Sequence, residues 1–149
     1  MEHKSRPIVD ISAACACGAV TVTWRGKVRS MFLCSCEDCQ QATGTGHSAI
    51  AIAAQADVTI SGETRSFSRQ ANSGAHLTRH FCPVCGTPIY GQSSRADSLL
   101  MLPVGLFGAA AAQWFAPNQL IFARSHRAWD IVAPELPQHQ TYREGGALA

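Results

Sequence analysis

The run GAVTVTWRG alternates in character, with Val20, Val22 and Trp24 on one face and Thr21, Thr23 and Arg25 on the other. A period of two predicts a half-buried strand, broken at Gly26. KVRSMFL then resumes an extended run, and HSAIAIAA, DVTISG, ETRSF, HLTRHF and SLLMLPV predict further short strands. Gly, Asn and Ser turn signals separate them. NQLIFARS and AWDIV predict two more strands near the C-terminus. Helical patterning is sparse. EDCQQAT predicts a turn or two, capped by Ser35 in the S-x-x-D sense with Asp38, and GAAAAQWF a second short helix. No repeat, low-complexity tract or linker divides the chain. The pattern therefore predicts one mostly-β domain over residues 1–149, with flexible ends at about 1–10 and 143–149.

Composition narrows the class. Hydrophobic residues make up 46% of the chain and charged residues 15%, a balance that argues for a packed core rather than disorder. The opening MEHKSRPIVDIS shows no apolar run of the secretory type. The most lipid-like stretch, LLMLPVGLFGAAAA, is broken by Pro103, Gly105 and Gly108, and a membrane helix needs about 20 apolar residues. These features predict a cytoplasmic protein with no membrane partner.

In that compartment the seven cysteines are expected as thiols, and short C-x-C and C-x-x-C spacings point to metal or redox chemistry. They also change the charge. Seven thiolates subtract seven and two zinc ions restore four, taking the formal +2 to −1, which removes the argument for a nucleic-acid partner.

Cys15 and Cys17 lie in CACG, and Cys82 and Cys85 in CPVCG. Each pair supplies two ligands beside a glycine able to take the tight turn of a zinc knuckle, so together they predict a closed four-thiolate zinc site. No βαβ pattern surrounds CPVC, which weighs against a thioredoxin-like redox motif. The remaining three, Cys34, Cys36 and Cys39, fall within six positions of FLCSCEDCQQATG. An extended run leading into a short helix converges their sulfurs. Three readings stand side by side: a zinc site with an open fourth position, a closed site completed by a residue such as His47, or a metal-free thiol cluster.

The ordered set CACGAV, CSCEDCQQATGTG and HFCPVCGTPIY, with PNQLIFARSHRAWDI beyond it, resembles the glutathione-dependent formaldehyde-activating enzymes and their wider relatives, which include centromere protein V. The resemblance implies a mostly-β, Mss4-like fold of several small coiled sheets. It implies a structural zinc on Cys15, Cys17, Cys82 and Cys85, and a second, exchangeable active-site zinc on Cys34, Cys36 and Cys39. The implied activity is a carbon–sulfur lyase reaction that joins glutathione, or a related thiol, to formaldehyde or another small aldehyde. A non-catalytic binding module with two structural zincs is the alternative. The chain departs from its relatives at Ser35, where they carry histidine, at Leu120, where they place another histidine, and in GLFGAAAAQWF, which bears on which thiol is used. Arg25, Lys27, Arg29 and Arg79 are cationic candidates for substrate carboxylates, though each reads first as a solvated strand residue. His76 and His80 flank Arg79. Trp24, Trp114 and Trp129 read as core or rim packing.

Overall fold

The computed structural model describes residues 6–142. In chain order the elements are β1 (Ile8–Ala14), β2 (Thr21–Lys27), β3 (Ser30–Cys34), α1 (Glu37–Thr43), β4 (Ser48–Ala54), β5 (Val58–Ser61), β6 (Arg65–Gln70), β7 (His76–Phe81), β8 (Pro88–Ser93), β9 (Leu99–Pro103) and β10 (Leu120–Ile121). Strands β1, β2 and β5 form a small antiparallel sheet, and the rest form a larger one in the order β10-β3-β4-β9-β8-β7-β6. Only β10 runs parallel to its neighbour, β3.

Alternation decides which way each strand faces. In β4, Ala49, Ala51 and Ala53 turn to the main core, while Ile50 and Ile52 turn to a second cluster on the opposite face. The main core fills the space between the sheets with Val9, Val20, Val22 and Trp24 from one side and Ala51, Leu100 and Leu102 from the other. Trp24 is fully buried and meets Trp114 edge-on at 5.5 Å and 88°. The second cluster joins Phe32, Cys34, Ile52, Ile121 and Phe122, with Cys36 and Cys39 packed against it. One cysteine triplet therefore sits on the far face of the larger sheet, away from the main core.

Several expectations are corrected. Ile8–Asp10, assigned to a flexible end, belong to β1 and pair with Arg25, Gly26 and Lys27. The expected fraying at residues 1–5 and 143–149 lies outside the described residues. PIYGQS forms β8, although its glycine and glutamine hide the alternation. AWDIV is no strand but an irregular turn, because Asp130 is drawn inward by two histidines. GAAAAQWF overlaps a 3-10 segment, Val104–Gln113, interrupted at Gly108, where φ is 58°. Trp129 is 66% exposed rather than packed. Among the described residues no helix is long and apolar enough to cross a membrane.

Candidate metal centres

The first cluster is built from two turns of matching design. Between β1 and β2, the Cys15 amide donates to the Val20 carbonyl at 2.9 Å and the Gly18 amide to the Cys15 carbonyl at 3.0 Å. Between β7 and β8, the Cys82 amide donates to the Thr87 carbonyl at 3.0 Å and the Gly86 amide to the Cys82 carbonyl at 2.9 Å. Gly18 and Gly86 take φ of 80° and 75° with open space where a side chain would go. Glycine is favoured there by backbone conformation, not by crowding. The turns bring Cys15, Cys17, Cys82 and Cys85 together, all four sulfurs within 4.8 Å of one another.

The Cys15–Cys17 and Cys17–Cys82 sulfur separations are both 3.7 Å. A disulfide requires about 2.05 Å, whereas a tetrahedron with metal–sulfur bonds of about 2.3 Å has edges of about 3.8 Å. These two edges match such a tetrahedron, and the four sulfurs together are close enough to hold one metal ion. Amide and hydroxyl donors face the sulfurs, as thiolates need: Val20 N reaches Cys15 Sγ at 3.3 Å and Thr87 Oγ1 lies 3.1 Å from Cys85 Sγ. The Thr87 hydroxyl, then its amide and that of Cys17, hold the Cys85 thiol down to about 5. Thr87 Oγ1 also accepts from Ala16 N at 3.2 Å, so one side chain bridges the two turns.

The second cluster is local. Strand β3 delivers Cys34, the chain bends at Ser35, and Cys36 caps α1, its Sγ accepting from Cys39 N at 3.4 Å. The cap is therefore Cys36 and not Ser35, whose hydroxyl is fully buried without a hydrogen-bond partner. Cys34, Cys36 and Cys39 place their sulfurs within 4.8 Å of one another. Gln40 fixes α1 by donating to the Ser35 carbonyl at 2.8 Å and the Ser125 carbonyl at 2.9 Å.

No other Cys, His, Asp or Glu among the described residues joins the triplet. His47, the expected candidate, points elsewhere: its Nδ1 lies 2.7 Å from Asp130 Oδ2, and His126 Nε2 approaches the same oxygen at 3.3 Å. Gly46 closes this clasp, because a Cβ there would collide with the Asp130 side chain. A separate open groove of about 460 Å³, walled mostly by apolar residues, includes His47 but none of the cysteines.

The triplet borders an apolar cluster: Cys34 lies within it beside Phe32, Ile52, Ile121 and Phe122, and Cys36 and Cys39 pack against it. Arg79 from β7 stands at the edge, Nη1 donating to the Asp38 carbonyl at 3.3 Å and Nη2 reaching Cys39 Sγ at 3.9 Å. Its expected role as a solvated strand residue is corrected by these contacts. Ser48, the register partner of Cys34, is buried and turns its hydroxyl toward Cys39. The thiols do not share charge evenly. Cys39 is pulled down to about 3 by hydrogen bonds from Cys34 and Cys36, with the Ser48 hydroxyl and then Arg79 assisting against burial. Cys34 is pushed up by the same two neighbouring sulfurs and by burial. Cation binding would draw all three into the thiolate form.

Of the other expected cations, Arg25 pairs with Asp10 at 3.0 Å on the exposed side of the small sheet. Two departures from the relatives fall away from the triplet: Leu120 is fully buried beside Leu33, and Val104, Phe107 and Ala111 pack into the main core. Sequence patterning missed Ser48 and the Asp130 clasp. The only available signal for the clasp was glycine before His47.

The family model described as glutathione-dependent formaldehyde-activating enzyme matches residues 10–125. The fold is also similar to the crystal structure of a Rhodobacter sphaeroides protein, with a TM-score of 0.51 and 18% identity over 66% of this chain and 89% of that one.

Proposed function

This chain belongs to the glutathione-dependent formaldehyde-activating enzyme family, and on that premise we propose that it is a zinc-dependent carbon–sulfur lyase-type enzyme acting on a thiol and a small aldehyde. The observation that carries the reading is the convergence of Cys34, Cys36 and Cys39 with no fourth ligand from the described residues. Cys15, Cys17, Cys82 and Cys85 would hold a structural zinc, and the triplet an exchangeable one. At the triplet, zinc would supply a soft cation that keeps a thiol substrate ionised near neutral pH.

The chain's own residues set the rest. The apolar cluster of Phe32, Ile52, Ile121 and Phe122 that surrounds Cys34 limits water on that side of the sulfurs, which strengthens the electrostatics there. The buried Ser48 hydroxyl helps to keep Cys39 in the thiolate form. In the synthetic direction the thiol sulfur forms a bond to the aldehyde carbon, the carbonyl π bond breaks, and the thiol proton ends on oxygen. The hemithioacetal returns thiol and aldehyde in reverse, with no oxidant or reductant. Glutathione and formaldehyde are the pair the family description names, and they are the first pair to assay.

The test combines metal counting with turnover. Purified protein should hold two zinc atoms and lose one on mild chelation. Aldehyde consumption by added thiol should fall with that loss and return on adding zinc. Two zincs that resist chelation equally, with no turnover, would instead favour a module with two structural sites.

A further inference from the structure

We propose that Arg79 is a positioning residue of the cysteine triplet, one that orients Cys39 and offsets the negative charge of a cation held by three thiolates. The inference rests on the reading that the triplet binds such a cation. Arg79 lies in register with Phe67 on β6 and Gly91 on β8. Its β8 partner carries no side chain. From β7 the guanidinium makes two contacts on α1, one to the Asp38 carbonyl and one to Cys39 Sγ. Two-point contact of this kind fixes a planar guanidinium in orientation.

The charge reaches the sulfurs undiluted by the nearest carboxylate. Asp38 carries an acid on the same turn, but Arg69 takes it at 2.9 Å, and the Arg69 side chain is only 19% exposed. Arg79 meets the Asp38 carbonyl instead. Three thiolates on a divalent cation leave one net negative charge. In a half-buried apolar setting such a charge is costly without a partner, and a fixed guanidinium about 4 Å away supplies one. Register also decides that this arginine, not another, is the partner. Strand alternation over three positions separates Arg79, which faces the triplet, from Cys82, which enters the four-sulfur cluster.

Protein stripped only of its exchangeable ion would be titrated with cobalt(II) against a chromogenic chelator, following thiolate-to-cobalt absorption. Arg79→Ala should weaken rebinding about tenfold, a loss of about 1.4 kcal/mol. Its retained zinc and thermal midpoint should stay at wild-type values. Arg79→Lys should recover at least half of the loss on a logarithmic scale, because charge is restored while the two-point contact is not. Wild-type cobalt affinity in Arg79→Ala would overturn the inference. So would no recovery in Arg79→Lys, or loss of retained zinc together with the exchangeable ion. A wild-type protein with no exchangeable ion overturns the cation reading itself and the inference with it, an outcome distinct from the others.

Discussion

The two cysteine clusters use one ligand type and differ in reach. Cys17 and Cys82 meet across 65 positions of sequence, whereas Cys34, Cys36 and Cys39 come from a single bend between β3 and α1. Closing the first ties the small sheet to the β7–β8 turn of the large one, and its entropic cost grows with loop length. An ion there would offset that cost and become part of folding. Closing the second ties three neighbours that a strand end and a cap already hold. An ion there would contribute little to the fold and would be free to exchange. On the proposed reading, reach is what would separate a structural centre from a chemical one even where the ligands are alike.

The sharpest way to break this comparison is to remove one sulfur from each cluster. Cys85→Ser should abolish cooperative unfolding, since structural zinc contributes roughly 10 kcal/mol or more and a domain's whole stability is about 5–15 kcal/mol. Near-ultraviolet circular dichroism and a thermal melt read the result, and a wild-type melt would end the structural assignment. Cys36→Ser should leave the melt within a few degrees of wild type. It should lose the exchangeable ion, with turnover down roughly a hundredfold or more, beyond the 10–100-fold typical of outer-shell partners. Equal melting of the two variants would erase the distinction.

A smaller effect is expected at the clasp, which belongs to neither cluster. Asp130→Ala removes the hydrogen-bond partner of His47 Nδ1 and the carboxylate that His126 approaches and should cost about 1–3 kcal/mol. That lowers the thermal midpoint by roughly 2–4 °C per kcal/mol for a chain of this size. Both ions should be retained by elemental analysis. Loss of the exchangeable ion in this variant would place the clasp inside the chemical centre.

The smallest effect is a pH dependence at His80, which stacks on Tyr90 with ring centres 4.1 Å apart and 7° between planes. Burial holds His80 below its ordinary value, so the unfolded chain binds this proton more readily than the folded one. Stability from this group is complete above about pH 6.5 and is lost as pH falls from there through the lower folded value. His80→Phe should flatten that part of a stability–pH curve. An unchanged slope in the variant would show that another group governs it.

Much of this architecture was legible along the chain. The alternation in GAVTVTWRG is β2, with Val22 and Trp24 buried as its phase requires. HSAIAIAA is β4. Cysteine spacing separated four sulfurs from three, and the structure groups them the same way. Strand β8 was hidden because Gly91 and Gln92 carry no hydrophobic period. AWDIV misled because its apolar residues suit a strand, while Asp130 is held by histidines 83 and 4 positions away. Ser35 satisfied a capping pattern that Cys36 fulfils one residue later.

Sequence alone determined what is periodic or local: the strand faces, the two glycine-marked turns and the convergence of the triplet, since each depends on neighbours within a few positions. Tertiary structure alone decided that Arg79 reaches Cys39 from 40 positions away, that Asp130 removes His47 from the sulfurs, and that Ser48 is buried opposite Cys34. Those pairings depend on strand order and register. Both are set by how the sheets close over their common core, and no local pattern in the chain encodes them.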